Sequence, residues 1–282
     1  MIKNKVDFIV TLSVKDANPN GDPLAGNMPR TDSNGYGEMS DVCIKRKIRN
    51  RMQDMDNEIF VQARDRTEDA CNSLEERYEL NFKKKDKDEK VQSGFNEKWL
   101  DVRSFGQVIT FDNRSIGIRG PVSISIARSL DPVEIKTMQI TRSTNGQKPK
   151  NNKSRSSDTM GTKYMVDFGV YVFTGSVNTY LSEKTGFDEE DLKVLKEAIR
   201  TLFVNDVSSA RPDGSMVVED IYWFTHSSKI GDVSSAKIKD LLLYNDDERP
   251  KENYEDYDIH LDQDLLQTYE DKGLRLEHIK GF

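Results

Sequence analysis

Four aspartates, Asp16, Asp22, Asp32 and Asp41, crowd around a loop that opens DANPNGDPLAGNMPR at residues 16 to 30. Carboxylates converging on a divalent ion can drive phosphodiester cleavage. Aspartate is equally a turn and capping residue, and spacing along the chain does not distinguish the two roles. The other catalytic residue types form no constellation. His226, His260 and His278 stand far apart, outside any nucleophile–base pattern or metal-ligand spacing, and read as surface or internally satisfied side chains. Gly117 and Gly120 lack the strand-before, helix-after context of a phosphate-cradling loop. The two cysteines, Cys43 and Cys71, supply neither a disulfide framework nor a zinc pair, so no metal and no cofactor is expected.

Charge points to a different chemistry. The 282 residues sum to -7, which argues against a polyanionic partner until its distribution is examined. Residues 240 to 282 hold 13 acidic and 5 basic side chains. Residues 41 to 54 (DVCIKRKIRNRMQD) hold 5 basic against 2 acidic groups, and residues 136 to 163 hold 7 basic groups against Asp158 alone. Exposed charges more than about 8 to 10 Å apart are largely screened from one another at physiological salt, so local blocks decide what docks. The basic blocks gather near groups suited to a sugar–phosphate chain: Asn18, Asn20, Asn27 and Arg30 in the opening loop, Lys45, Arg46 and Arg49 on the following helix, Arg119, and the segment from Arg142 to Lys163. Such a surface tracks a nucleic-acid backbone without reading bases.

Several elements must position these groups. VDFIVTLSV alternates with period two, the pattern of a half-buried strand. In the loop, Pro19, Pro23 and Pro29 fix φ, while Asn20-Gly21 and Asn34-Gly35 favour positive φ, so the loop is ordered. Ser40 or Asp41 caps a helix whose apolar stripe is Ile44, Ile48 and Met52, with Lys45, Arg46 and Arg49 on one flank and Lys47 and Arg51 on the other. Residues 55 to 105 form a charged, weakly periodic insertion, helical around EDACNSLEERY. FGQVITF, GPVSISIARSL and YMVDFGVYVFTG resume the sheet, interrupted by a polar stretch of a length usually reserved for functional loops. FDEEDLKVLKEAIRTLF is a helix capped by Asp188 with Leu192, Leu195, Ile199 and Leu202 inward, and MVVEDIYWF is the last strand. Strand, helix, strand, strand, helix, strand is the α+β, ferredoxin-like (RRM-like) order. The chain lacks the aromatic-rich signature of an ordinary RRM. It contains no run of about 18 apolar residues and opens without an apolar signal core, so a cytoplasmic setting is expected.

The stretch KDANPNGDPLAGNMPRTDSNGYGEMSDVCIKRKIRN resembles the opening of the CRISPR-associated "Cas seven" family, the repeated backbone subunit of type I Cascade surveillance complexes, and is most similar to the type I-C form, a relative of I-B. RGPVSISIARSL, MGTKYMVDFGVYVF and SSARPDGSMVVEDIYWFTHSSKIGD carry the resemblance to about residue 235. It implies a single RRM-like palm over 1–282, with a finger insertion at 55–105 and a thumb hairpin at 139–165. It implies a non-catalytic protein whose copies stack along one CRISPR RNA and present it to target DNA. Further implied partners are the repeat-processing and large subunits of Cascade and a recruited nuclease-helicase, with no membrane. The thumb would turn out a base, for which Met160 is the apolar candidate. Two alternatives remain: a type III-like RNase with Asp32 as the catalytic carboxylate, and a free-standing single-stranded RNA-binding protein.

Overall fold

The alternating run at the start becomes a twelve-residue strand, β1 (Val6–Ala17), in a computed structural model that describes residues 1–141, 160–247 and 249–282. The loop after it is stitched by a two-residue ladder, β2 (Gly21–Asp22) with β3 (Met28–Pro29), and leads to β4 (Tyr36–Met39). Helix α1 (Asp41–Asp54) starts at Ser40, whose hydroxyl accepts the Cys43 N–H. Its stripe of Ile44, Ile48 and Met52 is wholly buried, as the spacing predicts.

The charged insertion contains α2 (Leu74–Asn81), α3 (Asp88–Lys98) and α4 (Leu100–Phe105), followed by the hairpin β5 (Gly106–Ile109) and β6 (Ile116–Arg119). It owns a separate core of Phe60, Tyr78, Phe95 and Trp99 that reaches Ile118. Aromatic pairs such as Phe95 with Trp99, 4.7 Å between ring centroids, fill it at a density of contact that aliphatic periodicity cannot reveal. FGQVITF therefore does not resume the main sheet. Among the described residues its strand pairs only with β6, and the hairpin closes through glycine: a Cβ on Gly106, at φ +81°, would sit 2.3 Å from the Ile118 carbonyl oxygen.

The remaining elements are β7 (Val122–Ile124), β8 (Ala127–Pro132), β9 (Ile135–Thr141), β10 (Met160–Val177), α5 (Thr179–Thr185), α6 (Glu189–Arg200), β11 (Met216–Thr225), α7 (Ser235–Lys239), β12 (Leu242–Leu243), β13 (His260–Leu261), α8 (Gln263–Glu270) and β14 (Arg275–Lys280). The chain is α+β, with a mainly antiparallel sheet ordered β14-β11-β1-β10-β8-β4; β7 and β9 pair with β10 beside this path. Helix α6 carries the capping box of Asp188 and Asp191 and buries Leu195 and Ile199. Together α1 and α6 cover one sheet face, over Phe8, Val10, Leu12 and Phe173.

The other face is also covered. The segment after β11 lays Val233, Ile238, Leu241, Leu261, Leu266, Tyr269 and Leu274 against Ile9, Tyr222 and Phe224. β1 is consequently buried on both sides, and the half-buried strand that its alternation predicts is not observed. A polar tether fastens this layer: the Tyr254 hydroxyl lies 2.7 Å from Thr11 Oγ1 and donates to Asp220 Oδ2 at 2.7 Å.

Candidate nucleic-acid interface

The opening loop is held by its own asparagines. Asn18, only 4% exposed, donates Nδ2 to the Asn27 carbonyl at 2.7 Å. Asn20 Oδ1 accepts the Ser40 N–H at 2.9 Å and its hydroxyl at 3.1 Å, joining the loop to the cap of α1. Asn27 is exposed with φ 62°. The Arg30 N–H donates to the Asn20 carbonyl at 3.0 Å, and its guanidinium lies 3.6 Å from Asp22. Asn18 and Asn20 thus brace the loop, while Asn27 and Arg30 stand further out.

The α1 cations divide as their spacing requires. Lys45 Nζ and Arg49 Cζ both lie over the Phe105 ring, at 6.0 and 5.0 Å. Lys45 also reaches Asp41 at 3.0 Å, and Arg49 Nε donates to Asp101 at 2.9 Å. Arg46 Nη1 donates to the Val61 carbonyl at 2.6 Å; burial, with Arg49 alongside, lowers its pKa. On the opposite flank Lys47 is buried against Asp206, and burial pulls the ammonium pKa down. All four of these cations are therefore joined to the chain's own acceptors.

A second basic junction was not singled out from sequence. Asp206 accepts from Lys47 and from Arg211 Nε, the latter at 3.0 Å. Ser208 and Arg211 exchange backbone hydrogen bonds of 2.9 and 3.0 Å, closing a tight turn. The Ala210 carbonyl accepts the Asn18 N–H at 2.8 Å, and the Ser209 carbonyl accepts Lys163 Nζ at 3.0 Å. The opening loop, α1 and the base of the β9–β10 hairpin consequently meet at one turn. The Cys43 thiol, pushed up by burial, is pulled the other way by Lys47, Arg211 and Arg30. The available signal was the SARP run between helix and strand, a turn sequence carrying an arginine.

Arg119 is exposed at the end of β6 and forms no ion pair among the described residues. Met160 is 64% exposed on the hairpin, its Sδ 3.2 Å from Gln139 Nε2. The β9–β10 register places Met138 and Ile140 on the opposite hairpin face. Arg142 and residues 143 to 159 of the basic segment lie outside the described residues.

The aspartates of the opening region do not converge. Asp16 pairs with Lys136, Asp22 caps the Leu24 N–H and Asp41 holds Lys45. Asp32 accepts the N–H groups of Asn34 and Tyr36 at 2.8 and 3.0 Å, and Arg128 Nη2 at 2.7 Å. Although desolvation pushes its pKa up, the Arg128 guanidinium and these two N–H groups leave it below the usual aspartate value. Arg128 in turn lies 3.9 Å over the Tyr36 ring. Among the described residues no group of three or more His, Cys, Asp or Glu side chains is placed to hold a metal ion, and no helix is long and apolar enough to cross a membrane. His226 is buried, with Nε2 2.8 Å from Asp7 and Nδ1 accepting the Asp232 N–H at 2.9 Å; it is a satisfied core histidine.

Comparison with known proteins adds to this geometry. The family model described as CRISPR-associated protein Cas7 matches residues 4–262. A curated Cas7 protein of Haloferax volcanii is 25% identical over 217 residues, covering 68% of this chain; the match spans 62% of the length of that relative. Among solved structures, a chain of a CRISPR RNA-guided surveillance complex in a pre-nicking state aligns with a TM-score of 0.54 at 15% identity, covering 78% of each chain. At that identity the likeness concerns the fold.

Proposed function

Given that the chain belongs to the CRISPR-associated Cas7 family, we propose that it is a non-catalytic backbone subunit of a type I-C Cascade surveillance complex. Copies bind one CRISPR RNA side by side and hold it for pairing with target DNA. The meeting of the opening loop, α1 and the β9–β10 hairpin at the 208–211 turn is the observation that carries this reading, because it draws Asn18, Lys47, Lys163 and Arg211 to one place from segments up to about 190 residues apart. Guide pairing supplies sequence specificity in such an assembly, and the protein supplies geometry and backbone contacts.

The palm is an RRM-like unit in this proposal. The strands β11, β1, β10 and β7/β8 follow the order 4-1-3-2 of a ferredoxin-like sheet, with α1 and α6 as its two helices. Residues 55–105 are the finger and 139–165 the thumb. The RNA-facing groups are Asn27, Arg30, Arg119, Lys163 and Met160, with Arg142 in the segment between β9 and β10. Asn18, Asn20, Lys45, Arg46 and Arg49 are assigned to the RNA-binding set as well, and each also carries a contact within the chain. The acidic layer on the back of the sheet repels a polyanion and directs the RNA to the loop side. Head-to-tail stacking of a chain with one basic and one acidic side is a non-closing arrangement suited to a filament. The repeat-processing and large subunits, a recruited nuclease-helicase and a cytoplasmic setting complete the proposal.

Co-expression with the neighbouring genes, purification and sequencing of the bound nucleic acid tests it. Repeat-spacer RNA of defined length is the result expected. Recovery of the protein free of RNA, or metal-dependent cutting of the RNA by the protein alone, overturns it.

A further inference from the structure

Two exposed turns carry opposite charge and are fastened to opposite sides of the sheet. The first joins α2 to α3, where Lys83, Lys84, Lys85 and Lys87 all face solvent. Its backbone is built to hold them. The Arg114 guanidinium, on a side chain only 8% exposed, donates to the Lys84 and Asp86 carbonyls at 3.0 and 2.7 Å, and the Asp86 carboxylate accepts the Lys83 N–H at 2.8 Å. The nearest carboxylates are engaged, Asp86 with Lys90 and Asp88 with Arg114, and the four lysines form no ion pair among the described residues.

The second turn lies between β12 and β13 and exposes Glu252, Glu255 and Asp258. Asp256 accepts the N–H groups of Glu252 and Asn253, each at 2.9 Å, while the Tyr254 hydroxyl at Thr11 and Asp220 and the buried Tyr257 ring fix the turn to the sheet. Neighbouring Arg249 and Lys251 are paired with Asp247 and Asp131, which leaves the three exposed carboxylates without an ion pair among the described residues.

Like charges fixed on one turn repel one another, and a facing array of opposite charge relieves that repulsion. The two arrays do not meet within the chain. The lysine turn belongs to the insertion that Arg46 and Arg49 fasten to α1, and the acidic turn belongs to the layer on the other sheet face. Between copies they can meet, and each copy then offers one array of each sign to the next, a contact that propagates without closing. A nucleic acid would satisfy the lysines alone; a second copy satisfies both turns.

We propose that the lysine turn of one copy docks on the Glu252–Asp258 turn of the next, and that this contact orders the copies along the RNA. The proposal rests on the reading of copies held side by side on one strand and deepens it by naming the surfaces that touch. Charge complementarity of this kind sets partner and register more than raw affinity.

The test compares binding of the full chain, at physiological salt, to an RNA long enough for one copy and to an RNA long enough for several. Three exposed ion pairs, each worth roughly twofold, give adjacent copies a preference of about tenfold on the longer RNA. Reversing the lysines (Lys84→Glu, Lys85→Glu, Lys87→Glu) or the carboxylates (Glu252→Lys, Glu255→Lys, Asp258→Lys) is expected to abolish that preference and to leave affinity for the single-copy RNA unchanged. A chain carrying both reversals is expected to regain the preference, and thermal unfolding checks that each variant is folded. Loss of single-copy affinity on lysine reversal would put the lysines on nucleic acid and overturn the proposal. An unchanged preference in either reversal, or no recovery in the doubly reversed chain, overturns it as well, and in all these cases the RNA-backbone reading stands. Failure of the unsubstituted chain to bind either RNA overturns that reading itself.

Discussion

Arg49 donates Nε to Asp101 Oδ2 at 2.9 Å, and Asp101 has no exposed surface. The same carboxylate accepts the N–H groups of Phe60 and Val61 at 2.8 and 3.1 Å, while Arg46 holds the Val61 carbonyl. The flank of α1 is therefore a joint between this helix and the segment that carries Phe60, Val61 and Asp101, as well as a charged flank.

Arg49→Ala strands a buried carboxylate, which costs about 3–5 kcal/mol. Lys45→Ala removes a partly exposed i,i+4 pair and costs no more than about 0.5 kcal/mol. Chemical denaturation of the two variants checks the contrast. Arg49→Ala protein of full stability that had lost RNA affinity would place Arg49 on the phosphate instead of on the joint.

Asp32 belongs to a turn held by two backbone N–H groups and Arg128, so Asp32→Asn is expected to leave RNA uncut in magnesium or manganese, as in the unsubstituted chain. Metal-dependent cutting that disappears in the variant would restore the nuclease reading. The pKa direction supplies a second check. A carboxyl held below its ordinary value, about 3.9, adds stability that is fully present above that value and lost as pH falls through the lowered one. Acid titration of stability should show the unsubstituted protein's advantage over Asp32→Asn near neutrality, declining progressively once the pH falls below about 4.

On the hairpin, Met160→Ser is expected to weaken RNA binding by about threefold to tenfold, if the side chain stacks against an unstacked base. Ile230→Ser, also exposed but off the hairpin, is expected to leave RNA affinity unchanged. Fluorescence anisotropy with labelled RNA separates the two. Equal effects from both substitutions would remove Met160 from its assigned role.

The back layer behaves as core. Leu241 is wholly buried against the sheet, and Leu241→Ala should cost about 2–5 kcal/mol, read from denaturant midpoints. A cost near zero would make that layer a removable cover and reopen the sheet face to RNA.

The legible parts were those where burial follows a short period. Helices α1 and α6 show their stripes and caps in sequence because every contact of the stripe lies on one turn-by-turn face. The second burial of β1 was invisible, since the covering residues are scattered among acidic neighbours over some forty positions and only tertiary contact assembles them. Arg49 read as a surface cation because its partner is 52 residues away. The four aspartates left two readings open in the sequence, because their individual partners, Lys136, the Leu24 N–H, Arg128 and Lys45, are assembled only by the fold. The 208–211 turn was visible as a motif, but its tie to Asn18 and Lys163 needed the fold.

Strand β10 runs for 18 residues, about 60 Å at a typical rise per residue, and belongs to two ladders. Its first part pairs with β9 in the hairpin, and from Val166 onward it pairs with β1 at the centre of the sheet. Val166 faces Ile135 and Ala17 at once. The arm and its mounting thus share one continuous strand. Because the same strand continues to Tyr171 and Phe173 in the sheet, the direction in which the arm leaves the body follows from strand register. A neighbour gripping that arm would inherit the angle, and with it a fixed pitch.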